Sequence, residues 1–117
     1  MLKVIVDRTK WFRGHGIENS QLLRSDGRMC CLGFACLAAG LSPEQIGESQ
    51  SPGPVYRVEK WPETLLSLID KNEDHCNSKI GYRLMTLNDD MLIDDNSRET
   101  HIRQEGEEAG IEFEFIN

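Results

Sequence analysis

Residues 29–41 read MCCLGFACLAAGL, the longest apolar run in a chain that is otherwise turn-rich or charged. Within it only Gly33 and Gly40 are neither apolar nor cysteine. Alanine and leucine dominate, and no proline or β-branched residue argues for a strand, so the run predicts a helix over about Cys31 to Ala39. Gly40 is placed to end it in a left-handed turn. The helix is apolar on nearly all sides, which predicts a buried element wrapped by others rather than an amphipathic surface helix. It is far shorter than the roughly 20 residues needed to cross a bilayer. Gly33 inside it costs about 1 kcal/mol relative to alanine. The expected reason is close approach of a neighbouring backbone, with a ligand as the alternative.

Around this helix, 117 residues with 38% hydrophobic and 28% charged content predict a single soluble globular domain, 1–117. The N-terminal MLKVIVDRTK has too short an apolar stretch for a signal peptide, and Asp7 interrupts it, so a cytoplasmic protein is expected. Three of the four cysteines (Cys30, Cys31, Cys36) share the central run and Cys76 lies apart. Adjacent cysteines do not bridge each other easily, and a separation of five is not a facing helical pair, so reduced, buried thiols are expected.

The termini supply the sheet. Leu2, Val4 and Val6 alternate with Lys3, Ile5 and Asp7, and Ile111, Phe113 and Phe115 alternate with Glu112 and Glu114. The two strands are expected to be neighbours, with Lys3 beside Glu112 or Glu114. Ser20–Cys30, centred on Asp26-Gly27, predicts a small hairpin. Ser42, Pro43 and Gln45 predict a short capped helix ended by Gly47. Pro52-Gly53-Pro54 predicts a loop and Val55–Val58 a short edge strand. Pro62 is expected to open a helix to about Lys71, with Leu65, Leu66, Leu68 and Ile69 buried. Lys79–Leu87 fits either strand or helix, and Asn88–Asn96 reads as a polar loop. Ser97 is expected to cap a surface helix to about Ala109, ended by Gly110. The fold class that follows is α+β: a small sheet including the N- and C-terminal strands, a buried central helix and peripheral helices.

The motifs Trp11-Phe12-Arg13-Gly14, Leu22–Gly33 and Leu87-Asn88-Asp89 resemble a family of small proteins encoded by tailed phages and prophages. That family carries a G-x-x-C-C-L-G core, matched here by Gly27, Cys30, Cys31, Leu32 and Gly33, and a later L-N-D. Met91-Leu92-Ile93 stands where the family usually has an aromatic residue, and 97–109 is more polar than its usual last helix. The resemblance implies a phage accessory protein of the bacterial host cytoplasm, of the kind that modifies host defence or host enzymes. It assigns no catalytic residue.

The net charge of −7 is unevenly spread. From Asn88 onward ten acidic residues face two basic ones, whereas the first 28 residues carry a net +3. Asp89, Asp90, Asp94, Asp95, Glu105, Glu107, Glu108, Glu112 and Glu114 therefore form the candidate binding surface. Such a field disfavours direct contact with nucleic acid and favours a basic host protein, including a nucleic-acid-binding protein inhibited by carboxylates that mimic phosphates. Two alternatives stand beside this binder. One is a small enzyme with Cys30 or Cys31 as nucleophile and His15 as base, or a small anionic-ligand site built from Arg8, Lys10, Arg13 and His15. The other is a structural, homodimerising phage component. No metal or cofactor is expected: His75 and Cys76 lack zinc-site spacing, the aspartates lack the EF-hand pattern, and Arg13–Gly16 lacks Walker spacing. No membrane contact is expected either.

Overall fold

The computed structural model describes residues 1–16 and 19–117; Ile17 and Glu18 lie outside the described residues. The chain runs β1 (Leu2–Asp7), α1 (Cys31–Ala38), α2 (Pro43–Ile46), α3 (Pro52–Val58), a 3-10 segment (Glu63–Leu68), α4 (Lys79–Asp89), α5 (Asp95–Glu108) and β2 (Ile111–Ile116). This is the small α+β fold expected. Its sheet is two-stranded and parallel, pairing Leu2 with Ile111 through Asp7 with Ile116. Val4, Val6, Ile111 and Phe113 point into the core. Outside, Lys3 sits opposite Glu112 and pairs with Glu114 at 3.1 Å.

A parallel pair needs a crossover, and here the crossover is nearly the whole protein. α1 packs on β1, α2 and α4, while α5 packs on α4 and β2. All of Cys31–Cys36 is buried. A Cβ on Gly33 would overlap the Leu22 carbonyl oxygen, so the glycine is there to admit a neighbouring backbone, as expected. Gly40 adopts φ +104 just past the helix. α2 has the full capping box, with Ser42 and Gln45 bonded to each other's backbone N–H.

Six expectations need correction. Pro52-Gly53-Pro54 is not a loop and Val55–Val58 is not an edge strand; both belong to α3. The first-turn N–H groups of a helix have no intrahelical acceptor, so prolines there forfeit no ladder bond. The Asp26-Gly27 turn forms, with Asp26 Oδ1 accepting from the Arg28 N–H at 2.9 Å, and the Arg24 and Cys30 N–H groups donate across it to the Arg28 and Gln21 carbonyls, but the flanks form no strands. Leu23 instead bridges Gly47, and Met29 bridges Trp11. The segment after Pro62 winds as two short 3-10 turns that meet in a kink at Leu65, and is shorter than the helix expected. Leu65 and Leu68 are buried and Leu66 is exposed. Finally, α4 continues through Asn88 and Asp89, and Asp94 rather than Ser97 caps α5, accepting from the Ser97 N–H at 2.8 Å.

Candidate functional site: a buried hub, a basic pocket and an acidic end

The last turn of α4 is the polar centre of the molecule. Asn88 is fully buried. Its Oδ1 accepts from Trp11 Nε1 at 2.7 Å and from the Cys31 N–H at 2.9 Å. Its Nδ2 donates to the Phe12 carbonyl at 3.0 Å and to Asp89 Oδ1 at 2.9 Å. One side chain thus caps α1 from another helix and fastens the Trp11–Phe12 segment to both. Arg98 on α5, only 3% exposed, closes the same turn from the other side. Its Nη1 donates to the carbonyls of Leu87, Asn88 and Asp90, and its Nη2 to that of Ile93, at 2.7–3.1 Å. A guanidinium at a helix C-terminus satisfies orphan carbonyls and complements the dipole. From sequence Asn88 is expected in a polar loop and Arg98 has no assigned role; the L-N-D motif is the signal that marks the first.

Asp89 does not belong to the acidic surface: it is 4% exposed, because α4 carries it inward beside Asn88. Burial pushes its carboxyl pKa up from 3.8, a rise that hydrogen bonds from Asn88 and Ser20 and the charge of Arg98 only partly offset.

The cysteines are free and buried. Cys30 and Cys31 do sit at the N-terminus of α1, where a thiolate can be favoured. Desolvation wins instead. Burial pushes the Cys30 thiol from 9.0 to about 11, and pushes Cys31 and Cys36 up as well. This is the wrong direction for an activated nucleophile. Among the described residues, no group of three or more His, Cys, Asp or Glu side chains is placed to hold a metal ion.

The N-terminal cations fold onto the C-terminal acids. Arg8 makes a bidentate pair with Glu99 on α5 at 2.8 and 2.7 Å. Arg13 Nη2 reaches Asp95 Oδ2 at 3.1 Å, and its guanidinium lies 4.4 Å from the Trp11 ring centre. His15 stacks on Phe12, whose ring also carries Arg24. Arg8, Thr9, Trp11, Arg13, His15, Arg28 and Asp95 enclose a polar pocket of about 270 Å³. Three of the four residues expected at an anion site (Arg8, Arg13 and His15) are thereby brought together, with Arg28 added. Lys10 is not on the wall.

The acidic tract is split by these contacts. Asp95 is held by Arg13 and Arg98, and Asp94 is spent on capping α5. Asp90 accepts from the Leu92 N–H. The remaining five carboxylates lie on the last turn of α5 and on the strand that follows it. Glu105, Glu107 and Glu108 occupy or adjoin its last turn, and Glu112 and Glu114 project from β2 just beyond the Gly110 turn. Glu105 and Glu108 share Arg83 at 2.9 and 3.5 Å, and Glu114 has Lys3.

A larger open groove of about 800 Å³ lies between the starts of α3 and α4 and is lined in part by Pro54, His75, Tyr82 and Met85. Asn77 fixes its floor by accepting from the Gly53 N–H at 2.8 Å and donating to Ser51 Oγ at 3.0 Å. Among the described residues, no helix is long and apolar enough to cross a membrane. No protein-family model, curated protein or solved structure matches the chain.

Proposed function

We propose that the protein is a non-enzymatic phage accessory protein of the bacterial cytoplasm that binds a basic surface on a host protein. The contact surface is the acidic end of the molecule, Glu105, Glu107, Glu108, Glu112 and Glu114. One observation carries this reading. α5 ends in three glutamates with no basic residue in its last turn, although carboxylates there oppose the negative end of the helix dipole. A local arrangement that works against stability marks a surface kept for something else, and an incoming cationic partner relieves the repulsion. Lys3 and Arg83 neutralise this end only through exposed pairs, which contribute little and exchange readily. The buried thiols with raised pKa values weigh against the cysteine-enzyme alternative.

The test is capture of host proteins at low and high salt by the native protein and by the triple variant Glu107→Gln, Glu108→Gln, Glu112→Gln. A stoichiometric partner lost both at high salt and with the variant supports the reading. The variant itself is expected to be as stable as the native protein or slightly more so, since each charge removed from the last turn of α5 (Glu107 and Glu108) relieves about 0.3–1 kcal/mol of dipole repulsion. A partner retained equally by the variant, or none at any salt, would falsify it.

A further inference from the structure

We infer that the pocket between the end of β1 and the start of α5 is a binding site for a small phosphoryl oxyanion. Its wall gathers three guanidinium groups (Arg8, Arg13 and Arg28) and the imidazole of His15 in a protein of net charge −7. Asp95 is the one acidic side chain on the wall among the described residues, and both Arg13 and Arg98 hold it. Glu99 lies behind Arg8 rather than on the wall. On the wall itself three guanidinium groups face the one carboxylate of Asp95, while Glu99 behind Arg8 and Asp26 beside Arg28 offset part of that charge from outside it.

The donors divide into two kinds. Arg8 is committed to Glu99 and acts as a fixed charge. Arg13 is braced by the carbonyls of Arg8 and Trp11 and by the Trp11 ring, which sets its fork in place without using every donor. Its Nε is buried and lacks an acceptor among the described residues. Arg28 is exposed, and its guanidinium makes no hydrogen bond or ion pair among the described residues. It lines the same pocket as Arg13, because the Met29–Trp11 bridge brings the two segments together. A fixed guanidinium and an unpaired one on the same pocket supply the charge and the N–H donors that phosphate oxygens accept from, with Arg28 the one whose fork is uncommitted.

Size sets the ligand class. The pocket, about 270 Å³ and almost wholly polar, is below the roughly 300–1,000 Å³ of sites that enclose organic ligands. It takes the head of an anion and leaves any attached group in solvent. Free phosphate and the phosphoryl group of a monoester present the same oxygens to these donors. This site is independent of the acidic end of α5, so either reading can fail alone.

The experiment is an NMR titration of the full chain with inorganic phosphate and, separately, with glycerol phosphate, chloride holding ionic strength constant. Saturable shifts at the backbone amides of Arg13, His15 and Arg28 are expected. Arg28→Ala should weaken binding about 10-fold, the loss of one charge-assisted pair. His15→Ala should weaken it less, and both residues are exposed enough for the fold to persist. Tighter binding of the monoester assigns the site to a phosphorylated molecule, and equal binding assigns it to phosphate itself. Shifts that do not saturate, that chloride reproduces, or that survive unchanged in Arg28→Ala overturn the inference.

Discussion

Asn88 and Trp11, 77 positions apart, meet in the fully buried centre of the protein, where Asn88 Oδ1 accepts from the indole Nε1 at 2.7 Å. The same oxygen caps α1 through the Cys31 N–H. The amide nitrogen holds the Phe12 carbonyl, so three segments converge on one side chain. Asn88→Ala strands a buried indole N–H, a backbone N–H and a backbone carbonyl, each worth about 1–3 kcal/mol when unsatisfied. The expected loss is about 3 kcal/mol or more in urea unfolding. A loss below about 1 kcal/mol would mean that the network relaxes around the gap.

Arg98 is expected to be nearly as critical. Arg98→Ala removes bonds to four carbonyls and the cation at the end of α4, a loss of about 2–4 kcal/mol. Arg98→Lys should recover less than half of this, because an ammonium cannot reproduce the planar fork. Equal unfolding midpoints for the lysine variant and the native protein would show that charge alone matters here.

Helix propensity and packing disagree at Gly33, and packing should win. Gly33→Ala raises intrinsic helix propensity by about 1 kcal/mol. It also drives a methyl group into the Leu22 carbonyl, backbone that cannot swing aside. A net destabilisation of about 1–3 kcal/mol is expected, read as a lower thermal midpoint. A stabilised variant would place the Leu22 segment away from α1.

Asp89 ties stability to pH. Its folded pKa is raised, so the unfolded chain loses this proton at lower pH than the folded one. The group's contribution to stability is therefore full below its ordinary value of 3.8 and is lost as pH rises through the folded value. Asp89→Asn removes the ionisation and keeps an acceptor for Asn88 Nδ2. It should raise the unfolding midpoint at neutral pH, with the advantage closing below about pH 4. An advantage that persists unchanged in acid would place its origin elsewhere.

The Cys30 thiol should react slowly with alkylating reagents in the folded protein, its rate rising only toward about pH 11. In the unfolded chain the rise should come near 9.0. The folded pKa is the higher of the two, so stability should fall as pH climbs through this interval. Rapid labelling of the native protein at neutral pH would reopen the nucleophile reading.

The sequence by itself determined the elements whose signals are local. The apolar run 29–41 specified a buried helix, because no other arrangement removes an all-round apolar surface from water. Alternation at the two termini specified strands, and Ser42-Pro43-x-Gln45 a capped turn, because those preferences act over a few residues. The pairing of the termini was also legible, from two half-apolar strands with complementary outer charges. Tertiary structure alone decided what depends on distant partners. Val55–Val58 reads as a strand by composition, yet joins a helix once prolines 52 and 54 occupy its first turn and Val55 is buried. The charge is polarised along the sequence, but only the fold showed which ends meet: Arg8 pairs with Glu99 and Arg13 with Asp95. Asn88, Asp89 and Arg98 look like solvent-facing polar residues in a linear reading. Burying a polar group is tolerable where hydrogen bonds offset the lost water, and the partners of Asn88 and Arg98 come from separate stretches of chain that only the folded molecule assembles, while Asp89 Oδ2 stays unpartnered among the described residues.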